Sequence, residues 1–178
     1  GWAPSYPETT GYIIPTFLEW ARFSGDADCA DRAVSMADWE ISVQLPSGAI
    51  PSLNGGCPVV FDTGQVVFGL ISVYQATKAQ RFVDSAAKAC DWLIDHLDAI
   101  GCWSVYGNPG SDNIHTYNIR AAWAILVFYK LTGEAKYRRA VTGFIEWTLK
   151  QHEGRGWYRH NCLNDNERPL LHTIAYTA

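Results

Sequence analysis

The stretch FDTGQVVFGLISVY, residues 61–74, opens on an aspartate and a threonine and continues as a helix with no wide polar face. A helix that is apolar nearly all round is surrounded by other helices. The same wording returns as PETTGYIIPTFLEW at 7–20, IHTYNIRAAWAILVFY at 114–129 and LHTIAYTA at 171–178. Each copy has an acidic residue or His, then Thr, then an apolar run. The repeated threonines are Thr9, Thr63, Thr116 and Thr173, at intervals of 54, 53 and 57 residues.

A second marker runs in phase with the first. ADWEI, CDWLI and IEWTL place Trp39, Trp92 and Trp147 at intervals of 53 and 55 residues. Between the two markers lie FSGDADCADRA, QATKAQRFVDSA and LTGEAKYRRA, one turn written three ways. After each Trp comes a Gly-containing, mostly aromatic loop: SGAIPS, GCWSVYG or GRGWYRHN. Two markers in phase identify a repeat.

Each unit holds two helices. The first is predicted over Thr10–Phe23, Gly64–Tyr74 and Tyr117–Leu131, and the second over Ala27–Leu45, Ala79–Leu97 and Ala135–Lys150. The second is amphipathic: Phe82, Val83, Ala86, Cys90, Leu93, Ile94 and Leu97 share one face, with Asp84, Lys88, Asp91 and Asp95 between them. Tandem hairpins of a buried and a half-exposed helix make a solenoid or a closed ring. The apolar first helices favour the ring. The predicted fold is therefore all-α, tandem α-hairpin repeats forming a partial (α/α) toroid. Its single domain, 1–178, divides into repeats at about 8–60, 61–114 and 115–171, with a fourth starting at 172–178. The Gly- and aromatic-rich loops sit at the rim where the inner helices begin.

YPETTGYIIPTFLEWARFSGD, FDTGQVVFGLISVYQATK and HTYNIRAAWAILVFYKLTGEAKY resemble the six-hairpin α/α toroid superfamily. That group includes six-hairpin glycosidases, polysaccharide lyases and sugar epimerases, and more distantly lanthionine and terpene cyclases. The resemblance covers the whole chain and implies a carbohydrate-active protein of the kind found in bacterial polysaccharide metabolism. It also implies a ring of six hairpins, which at this repeat length needs roughly 330 residues. The expectation is thus a piece of a longer protein, or a half-ring that closes with a second copy as a homodimer. A lone half-ring would leave apolar inner faces open.

Composition narrows the partners. The chain has 178 residues, 48% hydrophobic and 18% charged, which suits a globular domain with a real core. A net charge of −4 gives no reason to expect nucleic acid or an anionic membrane. Ala121–Tyr129 is far too short to span a bilayer. The opening GWAPSYPETT has no basic or apolar leader segment, which points to the cytoplasm, although a cleaved signal would leave no trace. Eight Trp and nine Tyr suit a core and also suit stacking on sugar rings. Five Cys without a CxxC argue against a dense disulfide framework and leave one bridge between loop cysteines open. SGAIPSLNGGCP lacks the ending of a phosphate-binding loop, and no cofactor is expected.

Chemistry is expected at the inner-helix starts. The residue before each repeated Thr is Glu8, Asp62, His115 or His172. Thr is read as a helix cap, and an acid there complements the helix dipole. His does not, so this position is read as a shared scaffold carrying site-specific side chains. Neighbouring helices pack about 8–10 Å apart. Glu8 and Asp62 then approach the acid–base spacing of about 6.5–9.5 Å used in inverting glycoside hydrolysis. His115 or a Tyr acting as base would instead serve elimination or epimerisation beside a uronate carboxylate. Arg120 and Arg159 are candidate clamps for that carboxylate, and Arg120 alternatively pairs with Glu8 or Asp62.

Tyr6, Tyr12, Trp103, Tyr117, Trp157, His160 and Asn161, with Trp2 and Tyr106, complete the expected aromatic and polar mouth. The rival expectation is a non-catalytic helical-repeat module that binds a glycan or protein. A zinc-dependent cyclase-like site from His115, His172, His160, Cys162, Cys102 and Cys57 has no supporting motif spacing, so no metal ligand is assigned.

Overall fold

The computed structural model describes residues 4–53, 56–108, 114–163 and 170–178. Trp2 lies outside them. The chain forms α1 (Pro7–Ser24), α2 (Ala27–Val43), α3 (Val60–Thr77), α4 (Gln80–Asp95), a 3-10 turn (Thr116–Asn118), α5 (Ile119–Thr132), α6 (Ala135–Lys150), a short β1–β2 ribbon (His152–Gly154 and Trp157–Tyr158) and α7 (Leu171–Thr177). Three hairpins, α1–α2, α3–α4 and α5–α6, stand side by side. Their first helices pack in the order α1, α3, α5, and α7 continues that row against the 3-10 turn and α5. This is a partial α/α toroid. No helix among the described residues is long and apolar enough to cross a membrane.

The three intra-hairpin turns are chemically one turn. Each inner helix ends on a left-handed residue, Gly25, Lys78 or Gly133. One residue earlier stands Ser24, Thr77 or Thr132. Each hydroxyl donates to the carbonyl four residues back, at 2.7, 2.8 and 3.1 Å. Each also accepts the N–H two residues ahead, that of Asp26, Ala79 or Glu134. That hydroxyl bridges the last turn of one helix to the first turn of the next.

The inner helices touch backbone to backbone. A Cβ added at Gly11 of α1 would lie 2.6 Å from the Cα of Val66 in α3. One added at Gly64 of α3 would lie 2.7 Å from the Cα of Ala121 in α5. Neither neighbour is a side chain that can swing away. Gly11→Ala is therefore expected to destabilise the chain by about 1–3 kcal/mol through overpacking, read as a lower urea midpoint with unchanged slope.

α3 is covered on every side, with twelve buried residues from Val60 to Val73. α1 buries only Pro7, Gly11 and Ile14. It borders α2 and α3, and its opposite face carries Trp20 and Phe23, 53% and 82% exposed. The expectation that every first helix is surrounded holds for α3 and is corrected for α1, which forms an open edge.

The repeated Thr does not cap. The N-cap residues of α1, α3 and α7 are Tyr6, Val59 and Leu170, and none makes a side-chain cap. The inner helices α1 and α3 start three or four residues earlier than predicted, which puts Thr inside the first turn. There Thr63 Oγ1 donates to the Val59 carbonyl at 2.7 Å and accepts the Ile50 N–H at 2.9 Å. Thr116 Oγ1 donates to the Arg159 carbonyl at 3.0 Å. Thr173 Oγ1 donates to the Leu170 carbonyl. At Thr63 and Thr116 the hydroxyl pins a rim loop onto an inner-helix start, and a buried backbone group gains its partner.

Candidate active site

The first turns of the inner helices meet the rim loops around a cavity of about 260 Å³. Tyr6 enters it from the N-cap of α1, Glu8 from α1, Phe61 and Asp62 from α3, Tyr117 from the 3-10 turn, and His172 and Tyr176 from α7. Ser52, Gly107, Asn108 and Leu163 close it from the three loops. Phe61 holds the aromatic wall together, edge-on to Tyr117 at 5.6 Å and tilted on Tyr176 at 5.1 Å.

Glu8 is the second residue of α1 and Asp62 the third of α3. The helix dipole favours a negative charge at both places. Burial opposes it. Asp62 is 4% exposed, and burial with the charge of Glu8 pushes its carboxyl up to about 7. Glu8 is also raised by burial, but His172, Tyr6 and Arg120 oppose the rise. The Tyr6 hydroxyl engages both carboxyls, and burial with their two charges keeps it protonated. The result is one carboxyl that holds its proton near neutral pH beside a second, also raised, whose rise its neighbours oppose. Such an unequal pair is the basis of acid–base division of labour.

The other expected residues divide by place. Tyr6 and Tyr117 line the cavity with Glu8, Asp62 and His172. His115 is buried behind it, stacked on Tyr117 at 5.0 Å, and burial lowers its pKa. Arg120 and Tyr12 share a neighbouring pocket. Among the described residues Arg120 makes no ion pair with Glu8 or Asp62, which corrects that alternative. Its Nε donates to Gln65 Oε1 at 3.0 Å instead.

Trp103 is the clearest correction. It is fully buried, its Nε1 donates to the Leu93 carbonyl at 2.8 Å, and its ring packs on Phe144 at 4.6 Å. It belongs to the core beneath the loop. Trp157, Arg159 and His160 do not line the cavity either. Trp157 is half-buried in the ribbon, Arg159 faces Glu153 at 3.6 Å, and His160 leans on Trp147 at 5.7 Å. Asn161 is fully buried and accepts a hydrogen bond from Thr177 Oγ1 at 2.8 Å, tying the third loop to α7. Tyr106 packs on Trp92 and His96. Among the described residues no two cysteines form a disulfide, and no three His, Cys, Asp or Glu side chains converge to hold a metal.

One ionisable group was missed by the sequence reading. Glu40 on α2 is fully buried, and neither carboxyl oxygen has a hydrogen-bond partner among the described residues. Burial, then the charge of Asp62, pushes its carboxyl up to about 9. The repeat phase carried the signal. The residue after the marker Trp is Glu40, Leu93 or Thr148, and all three are buried.

No family model matches the chain, and no curated protein matches it. Solved structures share its shape, two of them over nearly the whole of this chain. One is the Lin0763 protein from Listeria innocua, at a TM-score of 0.71 and 14% identity over 97% of this chain and 53% of that one. The other is an inactive variant of the α-1,6-mannanase GH76A of Salegentibacter sp. HEL1_6, in complex with α-1,6-mannotetrose. It aligns at a TM-score of 0.72 and 14% identity over 98% of this chain and 61% of that one. At that identity the likeness establishes the fold, and the chain spans a little over half the length of each neighbour.

Proposed function

We propose that this chain supplies the acid–base wall of a carbohydrate-active toroid that cleaves a glycosidic bond. The observation that carries the reading is the shared cavity of Glu8 and Asp62, two carboxyls from neighbouring helix starts with unequal proton affinities. Asp62 is assigned as the acid that protonates the leaving oxygen, because it keeps a proton near pH 7. Glu8 is assigned as the carboxylate that acts on water or on the sugar, because His172 and Arg120 favour its charge. Tyr6 bridges the two, and Phe61, Tyr117 and Tyr176 offer apolar faces to a sugar ring.

The mannanase neighbour is in complex with an oligosaccharide, which supports a carbohydrate ligand for this shape. Elimination and epimerisation are less well supported. Of the bases expected for them, His115 lies behind the cavity wall rather than on it, and burial keeps the hydroxyls of Tyr6 and Tyr117, which do line it, protonated.

The test is release of new reducing ends from a panel of neutral and acidic oligosaccharides. Wild type is expected to turn over at least one, and Glu8→Gln to lose about 10²–10⁴-fold in rate with sugar binding retained. Binding without turnover by wild type would assign the chain to glycan recognition alone. That second reading is favoured by one fact: the chain spans only 53% and 61% of its structural neighbours.

A further inference from the structure

Among the described residues Arg120 has no carboxylate in direct contact, and the charge of Glu8 acts on it only from a distance. Its guanidinium is half-buried. A buried charge left unpaired is costly. Among the described residues its side-chain hydrogen bond goes to Gln65, itself fully buried, which takes the Nε–H and fixes the plane of the fork. That leaves the outer edge of the guanidinium, the edge suited to bidentate contact with a carboxylate.

Aromatic rings surround this cation. Tyr176 lies 4.9 Å from the guanidinium carbon, Trp123 5.4 Å and Phe68 5.7 Å. Arg120 forms a wall of a second cavity of about 250 Å³, whose other walls include Tyr12, Phe68 and Trp123. Trp123 is 53% exposed and Tyr12 38%, so both rings are open to a ligand. Tyr176 also lines the acid cavity, so the two cavities meet at the Tyr176–Arg120 contact. An acidic chamber and a cationic, aromatic chamber thus stand side by side.

We propose that the Arg120 pocket is a subsite for a carboxylate-bearing sugar, with the guanidinium fork on the carboxylate and Trp123 and Tyr12 against the ring. The inference rests on the glycan reading above and names its substrate class, a uronate-containing glycan. The charge of Glu8 repels an anion, and the cavity it shares with Asp62 takes the bond to be cut. Arg120 attracts one and takes the neighbouring acidic residue, so the charge pattern also fixes the direction in which the glycan lies.

The test uses the full chain with tetragalacturonate and its methyl ester, which differ in charge but hardly in shape. Calorimetry is expected to show the acid bound about tenfold or more tightly than the ester, with the difference shrinking as salt is added. In Arg120→Gln the ratio of the two dissociation constants is expected to fall to about one. In Trp123→Ala, a change at an exposed position, both sugars weaken and the ratio survives.

Equal binding of acid and ester by wild type overturns the carboxylate subsite and leaves the glycan reading standing. An unchanged ratio in Arg120→Gln does the same. Binding of neither sugar also overturns the carboxylate subsite, while the glycan reading falls only if the neutral oligosaccharides are neither bound nor cut. A concentration-dependent dimer that Trp123→Ala dissociates would assign the pocket to a second copy, and it also overturns the proposal. The wild-type ratio and its salt dependence decide the matter even if Arg120→Gln does not fold.

Discussion

Asp62→Asn is expected to lower the rate of glycosidic-bond hydrolysis by about 10²–10⁴-fold, the usual worth of a positioned proton donor. The pH profile gives a sharper signature than the rate. Asp62 must be protonated to act, and its carboxyl stands at about 7. Wild-type activity is therefore expected to fall as the pH rises through that value. Glu8 must be ionised, so activity is also expected to fall on the acid side, where its raised pKa is crossed.

Asp62→Asn removes the alkaline limb, because no titrating acid remains there. It should also spare substrates with good leaving groups, such as nitrophenyl glycosides, which need little protonation. Glu8→Gln should not spare them. An Asp62→Asn variant that keeps the wild-type alkaline limb would remove Asp62 from the acid role. One that keeps the wild-type rate would remove the pair altogether.

The fold was legible because two markers recur in phase. Thr63 and Trp92 are not informative alone. Their joint return every 53–57 residues is, because only a structural unit repeated in space preserves two phases at once. The Ser24, Thr77 and Thr132 bridges show why the turn was conserved in type within the chain while its wording drifted. Where the reading failed, a local rule had a competitor. Thr is a good cap in isolation, but here its hydroxyl serves loop backbone from inside the first turn. The cap positions go to Tyr6, Val59 and Leu170, which no capping preference selects.

The site was legible by the same phase and blurred for a different reason. Glu8, Asp62 and His172 occupy equivalent places, so a shared rim followed from the repeat. A loop rich in Gly and aromatics does not say which way its rings turn. Trp103 turns inward because the Leu93 carbonyl is free at the end of α4 and the indole N–H satisfies it. Arg120 looked like a partner for a carboxylate of its own chain. Gln65, set within the apolar run of α3, accepts its Nε–H instead.

Glu40 shows what an amphipathic pattern conceals, and it carries the largest expected effect on stability. Its carboxyl stands at about 9 in the folded chain against an ordinary 4.5. The folded state therefore holds this proton more tightly than the unfolded state. Between those two values folding stability falls as the pH rises, by about 1.4 kcal/mol per pH unit at most. Below the ordinary value the contribution is complete, and above about 9 it has been lost. Asp62 adds a slope of the same sign up to about 7.

Glu40→Gln keeps the shape of the protonated acid and has no proton to lose. It is expected to match wild type near pH 4.5 and to exceed it at pH 8 by several kcal/mol, on the order of the full linkage. Urea unfolding at the two pH values measures this directly. Equal stability of the variant and wild type at pH 8 would mean that Glu40 ionises without cost and that its environment is not dry.

The charge of Asp62 is one of the two causes that raise Glu40, so Asp62→Asn should also ease the alkaline loss. That coupling gives the position its meaning. The equivalent residues, Leu93 and Thr148, carry no charge. The one repeat that buries an acid there places it behind the carboxyl whose proton the proposed reaction needs. Ionising Glu40 would set a second buried negative charge against Asp62. The chain is therefore most stable in the protonation state in which Asp62 is ready to donate, and replacing Glu40 by Gln separates that stability from the chemistry.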